Sequence, residues 1–559
     1  MLSSHHDQRG GMSTRVGVAG WSKRFAPHLS LSGQSHPRRR RIFELTVLGL
    51  LLLTSGLAAY GPMDVLLWDE TIYLSRGIEP EAYATAGWED SLAYSFMYTV
   101  ISLFVSDPIS TYLIGRTLAS VLIVLGLFTA IRLNTGPIPA LTGAGVVAVL
   151  PLTYVWPSVA SPSAALLAVG LGIVWRWCRA WSLGLATVFV WIAAAARPEF
   201  TWAAIACSLW TIAWQVRDWY RGSPVPRPWQ GVVSVLGGVA VPLTVIAAFG
   251  NILASSPRQW TAFTQHFALR NVAPDIDPWV NADDAAREAF PTSYSIMQAV
   301  VENPQAFTEH LLGNAGWLPV TLIGHAAGLG DQTLFRPVST LVPALFFIGV
   351  ILAMLVNRHH LRKLLLHALH ARMSAIVLAG LLLVAFAIPA TVIYPRPHYL
   401  ILPVSILIFA SALALAAMPN KAWQALVPVA TTAVGVIVLG VVATAGVIDR
   451  AANPPPWEAS LRALDAQTEQ VRVVSVDERI CVYVEGCVAL PTPSRNERGV
   501  TFARYLEMNG VNAVLNVPIL ADSAWGEMSG TTTFMQDPAS FGFTKLIDDG
   551  PIVSISRMR

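Results

Sequence analysis

Charge is what this chain has least of. Only 13% of its 559 residues are Asp, Glu, Lys or Arg, about half the ~25% usual in soluble globular chains. Lysine is especially rare, so arginine supplies most of the 37 basic side chains. A chain so poor in charge is excluded from the ordinary soluble class. Its net charge of +3 is too small to matter except through its placement, and no nucleic-acid partner is expected. Cysteine is scarce too, with four residues. Cys178 and Cys207 fall in or beside apolar runs, where a free thiol behaves as a small apolar group. Cys481 and Cys487 can form a disulfide if their compartment oxidises, and the sequence leaves that open. Also missing is an internal repeat, and the tail from residue 447 has no nucleotide-phosphate loop, metal-spaced Cys/His set or nucleophile elbow.

What the chain has in quantity is apolar sequence: 54% hydrophobic residues and a mean hydropathy of +0.53. Runs of about 17 to 25 apolar residues fall near 43–60, 110–131, 138–156, 160–177, 181–196, 200–216, 231–250, 338–356, 374–393, 399–418 and 422–446. The expected fold class is therefore an α-helical polytopic membrane protein with about eleven transmembrane helices. Residues 1–41 read as a disordered cytoplasmic leader, 42–446 as the transmembrane part, and 447–559 as a small extracytoplasmic α/β domain.

Arginine and lysine in short loops set the orientation. Arg38 to Arg41 precede the first span. Arg132, then Arg176 and Arg179, then Arg217, Arg221 and Arg227 fall on the same side by parity, as do Arg358, Arg362, Lys363, Arg372 and Lys421. His359, His360, His367 and His370 belong to that basic inner loop. The first outer loop (61–109) is instead acidic, with Asp64, Asp69, Glu70, Glu79, Glu81, Glu89, Asp90 and Asp107 against Arg76 alone. The N-terminus is thus expected in the cytoplasm and residue 447 onward outside the cytoplasmic (inner) membrane. Leu92 to Phe104 is apolar but too short to span, which fits a helix lying on the outer leaflet. A second outer loop runs 251–337, with Gln305 to Leu312 helical. In the tail, 471–476 and 511–517 read as buried strands around a helix at 500–509, and 543–547 and 552–555 add two more strands.

A charge in the bilayer centre costs about 2.5–3.5 kcal/mol on insertion scales, so charges near span ends single themselves out. Arg116 falls near the outer end of span two, Arg197-Pro-Glu199 in the turn between spans five and six, and Tyr394-Pro-Arg396-Pro-His398-Tyr399 in the turn between spans nine and ten. Trp68-Asp69-Glu70-Thr-Ile-Tyr73 shares their side. Each has a local explanation: an arginine at a span end snorkels to headgroups, Arg197 can pair with Glu199, and acids favour a helix N-terminus. Taken together they suit transfer from a phosphate-activated lipid. Arginine forks match phosphate oxygens, and a carboxylate beside them can accept the proton of an attacking hydroxyl. The acid pair could instead hold a divalent cation; no other cofactor is indicated. Asp477-Glu478 reads as a surface turn. His266, His310 and His325 read more readily as structural or solvent-facing groups than as lining of a cleft.

Asp69-Glu70 followed by Tyr73, in the first outer loop after an N-terminal span, resembles the Asp-Glu-x-x-Tyr signature of the GT-C glycosyltransferases. Arg396-Pro-His-Tyr-Leu-Ile-Leu-Pro403 resembles their late Arg-Tyr-Leu-Leu-Pro motif, and the likeness covers about residues 43–420. That superfamily, which includes protein O-mannosyltransferases and aminoarabinose transferases of lipid A, uses polyprenyl-phosphate sugars. The resemblance implies that Asp69 is the catalytic base or metal-side acid, with Glu70 supporting it. Arg197 and Arg396 would hold the donor phosphate, with Arg116, His398 and Tyr73 around them. The chain departs from its relatives after the acidic pair, where Trp88-Glu89-Asp90-Ser-Leu-Ala-Tyr94 replaces a Lys-Pro-Pro-like motif, making Glu89 and Asp90 secondary acid candidates. The expected partners are a polyprenyl-phosphate-linked sugar donor, an extracytoplasmic acceptor and membrane lipid. A lipid-linked glycan flippase and a non-catalytic assembly protein are the alternatives.

Overall fold

The computed structural model describes residues 37–559 apart from 62–63, 65–68, 80, 82–86, 154–158, 222–226, 251, 253–256, 272–281, 328, 330–335, 419–420, 467–469, 494–496, 517–519, 521–522, 524, 549–553 and 559. The first helix, α1, runs Pro37–Tyr60 and takes in Arg38 to Arg41, which the sequence reading put in the leader. Two short helices of the first outer loop follow, α2 (Asp69–Ile78) and α3 (Leu92–Ser102). Six apolar helices come next: α4 (Pro108–Arg132), α5 (Pro137–Ala148), α6 (Ala160–Trp177), α7 (Ala180–Ala196), α8 (Thr201–Tyr220) and α9 (Pro228–Phe249). The second outer loop is itself helical, with α10 (Pro257–Asn271), α11 (Ala282–Ala289), α12 (Ile296–Glu302) and α13 (Pro304–Ala326). The helix expected at 305–312 therefore continues well beyond Leu312. Then come α14 (Arg336–Val356), the basic α15 (Arg358–Ala371), α16 (Met373–Val392), α17 (Ile401–Ala416) and α18 (Lys421–Ala452).

The helix ends follow local chemistry. Pro108 supplies the first turn of α4, and the Asp107 carboxylate before it accepts from the Ser110 amide (3.0 Å), filling one of the donors a helix start leaves open. At α7, the Arg179 amide donates to Ser182 Oγ (3.0 Å). Cys178, in the left-handed conformation (φ 49°), ends α6 and sets this tight turn.

Six stretches among the described residues are long and apolar enough to cross a membrane: Arg38–Tyr60, Pro108–Arg132, Pro228–Phe249, Met373–Val392, Pro397–Ala416 and Gly435–Asp465. The other expected spans coincide with helices that are shorter or less apolar, such as the 12-residue α5. Leu53, Trp202, Leu209, Val232, Leu243, Leu355 and Val441 nonetheless face outward from helices across the bundle. So much outward apolar surface suits lipid and not water. The chain is a multi-pass membrane protein.

After α18, α19 (Pro456–Asp465) leads into a five-stranded sheet. Its strands are β1 (Arg472–Val474), β2 (Val488–Ala489), β3 (Ala513–Asn516), β4 (Phe543–Asp548) and β5 (Ser554–Met558), in the order β2-β1-β3-β5-β4. β1 lies parallel to β2 and β3, whereas β5 runs antiparallel to β3 and β4. The short helices α20 (Phe502–Met508) and α21 (Thr531–Gln536) complete it. Side chains alternate across the strands. Val474 and Val514 enter a core with Phe502, Trp525 and Phe534, while Val473, Ala513 and Leu515 enter a core with Tyr73, Tyr94, Tyr98, Tyr112 and Tyr483. The second core belongs equally to the outer helices α2 and α3, so one face of the sheet is seated on the first outer loop.

Polar ties fix this seating. Asp64 accepts from the amides of Trp457 (2.8 Å) and Glu458 (3.0 Å) at the start of α19. Arg450, near the end of α18, forms a buried ion pair with Glu458 and donates to the Tyr60 carbonyl (2.8 Å). Cys481 and Cys487 are joined in a disulfide within the segment that touches α2.

Within the bundle, α6 lies against α4 at backbone distance. A Cβ built on Gly172 would fall 2.7 Å from the Ala130 Cα, the small-residue contact by which membrane helices approach closely. Gly172→Val is expected to destabilise the purified protein by about 1–3 kcal/mol through overpacking, read as a lowered thermal midpoint. An unchanged midpoint would show that α4 and α6 are not in this register.

Candidate active site

The acidic pair opens α2 and is divided by it. Successive residues on a helix point about 100° apart, so Asp69 and Glu70 face different surroundings. The Asp69 side chain is half-exposed and meets Arg258, whose Nη2 donates to its Oδ1 (3.1 Å). Tyr73 is one turn on and shares the Asp69 face. The same Nη2 donates to the Tyr73 hydroxyl (2.6 Å), and the guanidinium lies 5.5 Å from the ring centroid. The Asp-x-x-x-Tyr spacing thus makes a two-point seat for one arginine. Trp68 lies outside the described residues.

Glu70 points the other way, into the protein, where it is fully buried. Its Oε2 accepts from the hydroxyls of Tyr98 (3.1 Å) and Tyr94 (3.2 Å), while its Oε1 meets no hydrogen-bond partner among the described residues. Burial pushes its carboxyl up to about 7, against the hydrogen bonds from the two tyrosines and the charge of Arg116. Tyr98 is held tightly, because a Cβ on Gly115 would fall 2.4 Å from its ring. Arg116 itself donates to the Tyr112 hydroxyl (2.8 Å), which packs edge-on to Tyr483. It therefore belongs to the Glu70 side and not with the other arginines.

Those other arginines come from remote turns. Arg197 caps α7, and its Nε donates to Glu199 Oε1 (2.7 Å) while its guanidinium stacks 4.8 Å from the Tyr399 ring centroid. Burial works against its charge, but Glu199, Tyr399 and Tyr73 more than offset this, leaving its pKa raised. Arg396 donates through Nε to His266 Nε2 (2.6 Å). Burial lowers Arg396, with the charges of Asp69 and Tyr399 opposing. The charges are within reach of one another: Asp69 acts on Arg258, Arg396 and Tyr399, and Arg197 acts on Tyr73, Arg258 and Arg396. Asp69, Tyr73, Arg197, Arg258, Arg396 and Tyr399 thus form one cluster from four separate segments.

Beside it lies a small recess, with room inside for little more than a water molecule. Arg197, Glu199, His398 and Tyr399 line its polar end, and Ala160, Ala164, Phe200, Phe386, Pro389, Ile401 and Leu402 its apolar walls. The recess is thus polar at one end and apolar along the rest.

The remaining sequence candidates sit elsewhere or differently. Asp90 forms an ion pair with Arg76 (2.9 Å) and accepts from the Gly87 amide (2.7 Å), which gives it a structural role. The Glu89 side chain lies outside the described residues. Asp477 is no surface turn: it is buried, and its Oδ2 accepts from Thr71 Oγ1 (3.0 Å) in α2. His310 and Asn314 engage the main-chain carbonyls at the end of α16. His266 joins the cluster through Arg396, contrary to its structural reading. Arg258 was missed altogether; its only signal is a lone arginine beside Pro257 and Trp260 in the second outer loop.

No known protein-family model matches the chain, and no curated protein matches it. Solved structures do. The chain is similar to the oligosaccharyltransferase of Archaeoglobus fulgidus in its apo form, at 12% identity over 90% of this chain and 73% of that one, with a TM-score of 0.41. It is also similar to ArnT from Cupriavidus metallidurans bound to undecaprenyl phosphate, at 12% identity over 93% and 98% of the two chains and a TM-score of 0.37. For ArnT in the apo state the figures are 13%, 92%, 97% and 0.34.

Glu70 generates a pH prediction. Below about pH 4.5 its carboxyl is protonated whether the chain is folded or unfolded. Between pH 4.5 and 7 the unfolded chain releases this proton while the folded chain keeps it. The folded state then binds more protons, so stability falls as the pH rises through that window, by about 3 kcal/mol in all. Glu70→Gln cannot ionise and should gain thermal stability over the parent on going from pH 5 to pH 8. A constant difference between the two proteins across that range would contradict the buried environment described for Glu70.

Proposed function

We propose that this protein is a membrane glycosyltransferase that moves a sugar from a polyprenyl-phosphate carrier to an acceptor hydroxyl outside the cytoplasmic membrane. One observation carries the reading: a half-exposed carboxylate, Asp69, shares an electrostatic neighbourhood with Arg197, Arg258 and Arg396, and Arg197 also lines the polar end of an apolar recess. The lipid tail would lie along the apolar helix surface next to this recess. Arg197 and Arg396 hold the phosphate, matching its oxygens with fixed N–H donors. Asp69 takes the proton from the acceptor hydroxyl as its oxygen attacks the anomeric carbon. The bond from that carbon to the phosphate oxygen breaks, and the electron pair leaves with the polyprenyl phosphate, where the arginines stabilise the growing charge. Direct displacement of this kind inverts the anomeric centre.

Glu70 has no part in these steps, because its carboxyl lies on the far side of α2 among tyrosines. Among the described residues no three His, Cys, Asp or Glu side chains gather to hold a metal ion. A divalent cation at Asp69 would take its other ligands from water and the donor phosphate.

We place the N-terminus in the cytoplasm and residues 447–559 outside as a small α/β domain. The arginine-rich inner loops support this orientation. So does the Cys481–Cys487 disulfide, which belongs in an oxidising compartment. The domain sits directly over α2, where it can help present the acceptor.

The test uses purified protein in lipid nanodiscs, a panel of polyprenyl-phosphate sugars and envelope acceptors, with mass spectrometry of the products. Asp69→Asn should lower transfer by about 10²–10⁴ while still binding polyprenyl phosphate. Arg197→Gln should weaken that binding about tenfold or more, as loss of a charged hydrogen bond does. Full turnover by Asp69→Asn would remove the carboxylate from the mechanism.

A further inference from the structure

Two contacts of α10 reach into the cluster, one at each end of its inner face. Arg258 meets Asp69 and Tyr73, and His266, eight residues on, meets Arg396. Arg258, Ala262 and His266 recur every four residues and so share a face. The opposite side of the helix is anchored in an aromatic core, where Phe263 and Phe267 pack with Phe290, Phe307 and Trp260. The helix therefore holds its inner face at a set position between the first outer loop and the 394–399 turn.

The chemistry of the His266 contact settles its tautomer. An arginine Nε–H only donates, so His266 Nε2 must accept (2.6 Å). The proton then sits on Nδ1, which donates to the Ala262 carbonyl (2.6 Å). Both ring nitrogens are engaged, and the ring stacks against Tyr394 at 5.6 Å between centroids. A ring locked at both nitrogens and on one face leaves its Arg396 partner little rotational choice. The guanidinium is gripped at Nε, the corner of the fork nearest its stem, and its two Nη groups extend beyond that grip.

We infer that His266 is a positioning residue for the phosphate seat, accepting the Nε–H of Arg396 through Nε2 and so aiming the Nη groups at the lipid phosphate. The inference deepens the reading of this site as a polyprenyl-phosphate seat and rests on it. Burial and the adjacent Arg396 hold the His266 imidazolium down to about 3, so the ring remains an acceptor at any physiological pH.

The experiment is a double-substitution cycle on undecaprenyl phosphate affinity, measured on the full chain in nanodiscs. His266→Leu removes the acceptor and should weaken binding about tenfold. His266→Gln offers an amide oxygen near the place of Nε2 and should restore affinity to within about threefold. Arg396→Gln should weaken binding by itself, and adding His266→Leu to it should cost nothing further, because the two act as one unit. Equal affinities for the Leu and Gln variants would reduce His266 to a space-filling role and overturn the inference, as would additive losses in the double variant. A parent protein that does not bind the lipid phosphate, or an Arg396→Gln variant that binds as well as the parent, would overturn the phosphate seat itself. That failure is distinguishable from failure of the His266 role alone. Retained thermal midpoints identify the variants that fold.

Discussion

Charges at a membrane surface must meet partners, since the adjoining low-dielectric region does not solvate them. The cluster around Asp69 is arranged around that requirement. Arg258 bridges Asp69 and Tyr73, Arg197 lies between Glu199 and the Tyr399 ring, and Arg396 is held by a neutral histidine. Apart from the Arg197–Glu199 pair within one turn, these pairings join segments remote in the sequence. The Asp69–Arg258 contact joins residues 189 apart in sequence and the Arg396–His266 contact residues 130 apart. Pairing the charges therefore also draws the outer segments together, so that forming the site and folding the outer face are one process.

The acid pair illustrates how a helix separates two equivalent side chains into unlike groups. Asp69 keeps water and guanidinium partners, whereas one step on Glu70 is enclosed by Tyr94 and Tyr98 and its carboxyl is pushed towards neutrality. A protonated, hydrogen-bonded carboxyl is far cheaper to bury than an ionised one. Glu70 can thus tie α2 to α3 without adding a negative charge beside Asp69. The disulfide-bearing segment of the C-terminal sheet presses on the same helix, through Thr71 and Asp477 and through Tyr483 against Tyr112. α2 is held from below by tyrosines and from above by the sheet, which fixes the direction in which Asp69 points.

What could be read beforehand follows from the range of the interactions. The apolar runs were legible because hydropathy is local, and each expected span overlaps helix among the described residues, although only some of these helices have the length and apolarity to cross a membrane by themselves. The strands at 472–474 and 513–516 were legible as short β-branched runs, whereas β2 is two residues long and has no pattern to read. The Asp69–Tyr73 face was legible because it depends on one helical turn. Arg258 and His266 were not, since their placement depends on Phe263, Phe267 and Phe290 packing α10 into position. Asp477 failed for the same reason: an acidic dipeptide in a polar tail resembles a solvated turn, and only its partner 406 residues away makes it buried.

The helix α10 shows why a loop residue can matter as much as one on a membrane helix. Arg197 and Arg396 are fixed by the ends of α7 and α16 with their following turns, while Asp69 belongs to a short helix outside the bundle. In the proposed reaction something must set the distance between these two groups, because in-line displacement needs the attacking hydroxyl and the departing phosphate on opposite sides of one carbon atom. The helix α10 touches both, through Arg258 and His266, and a rise of 1.5 Å per residue separates these positions by about 12 Å. A rigid helix spanning that distance would set the geometry that direct displacement requires.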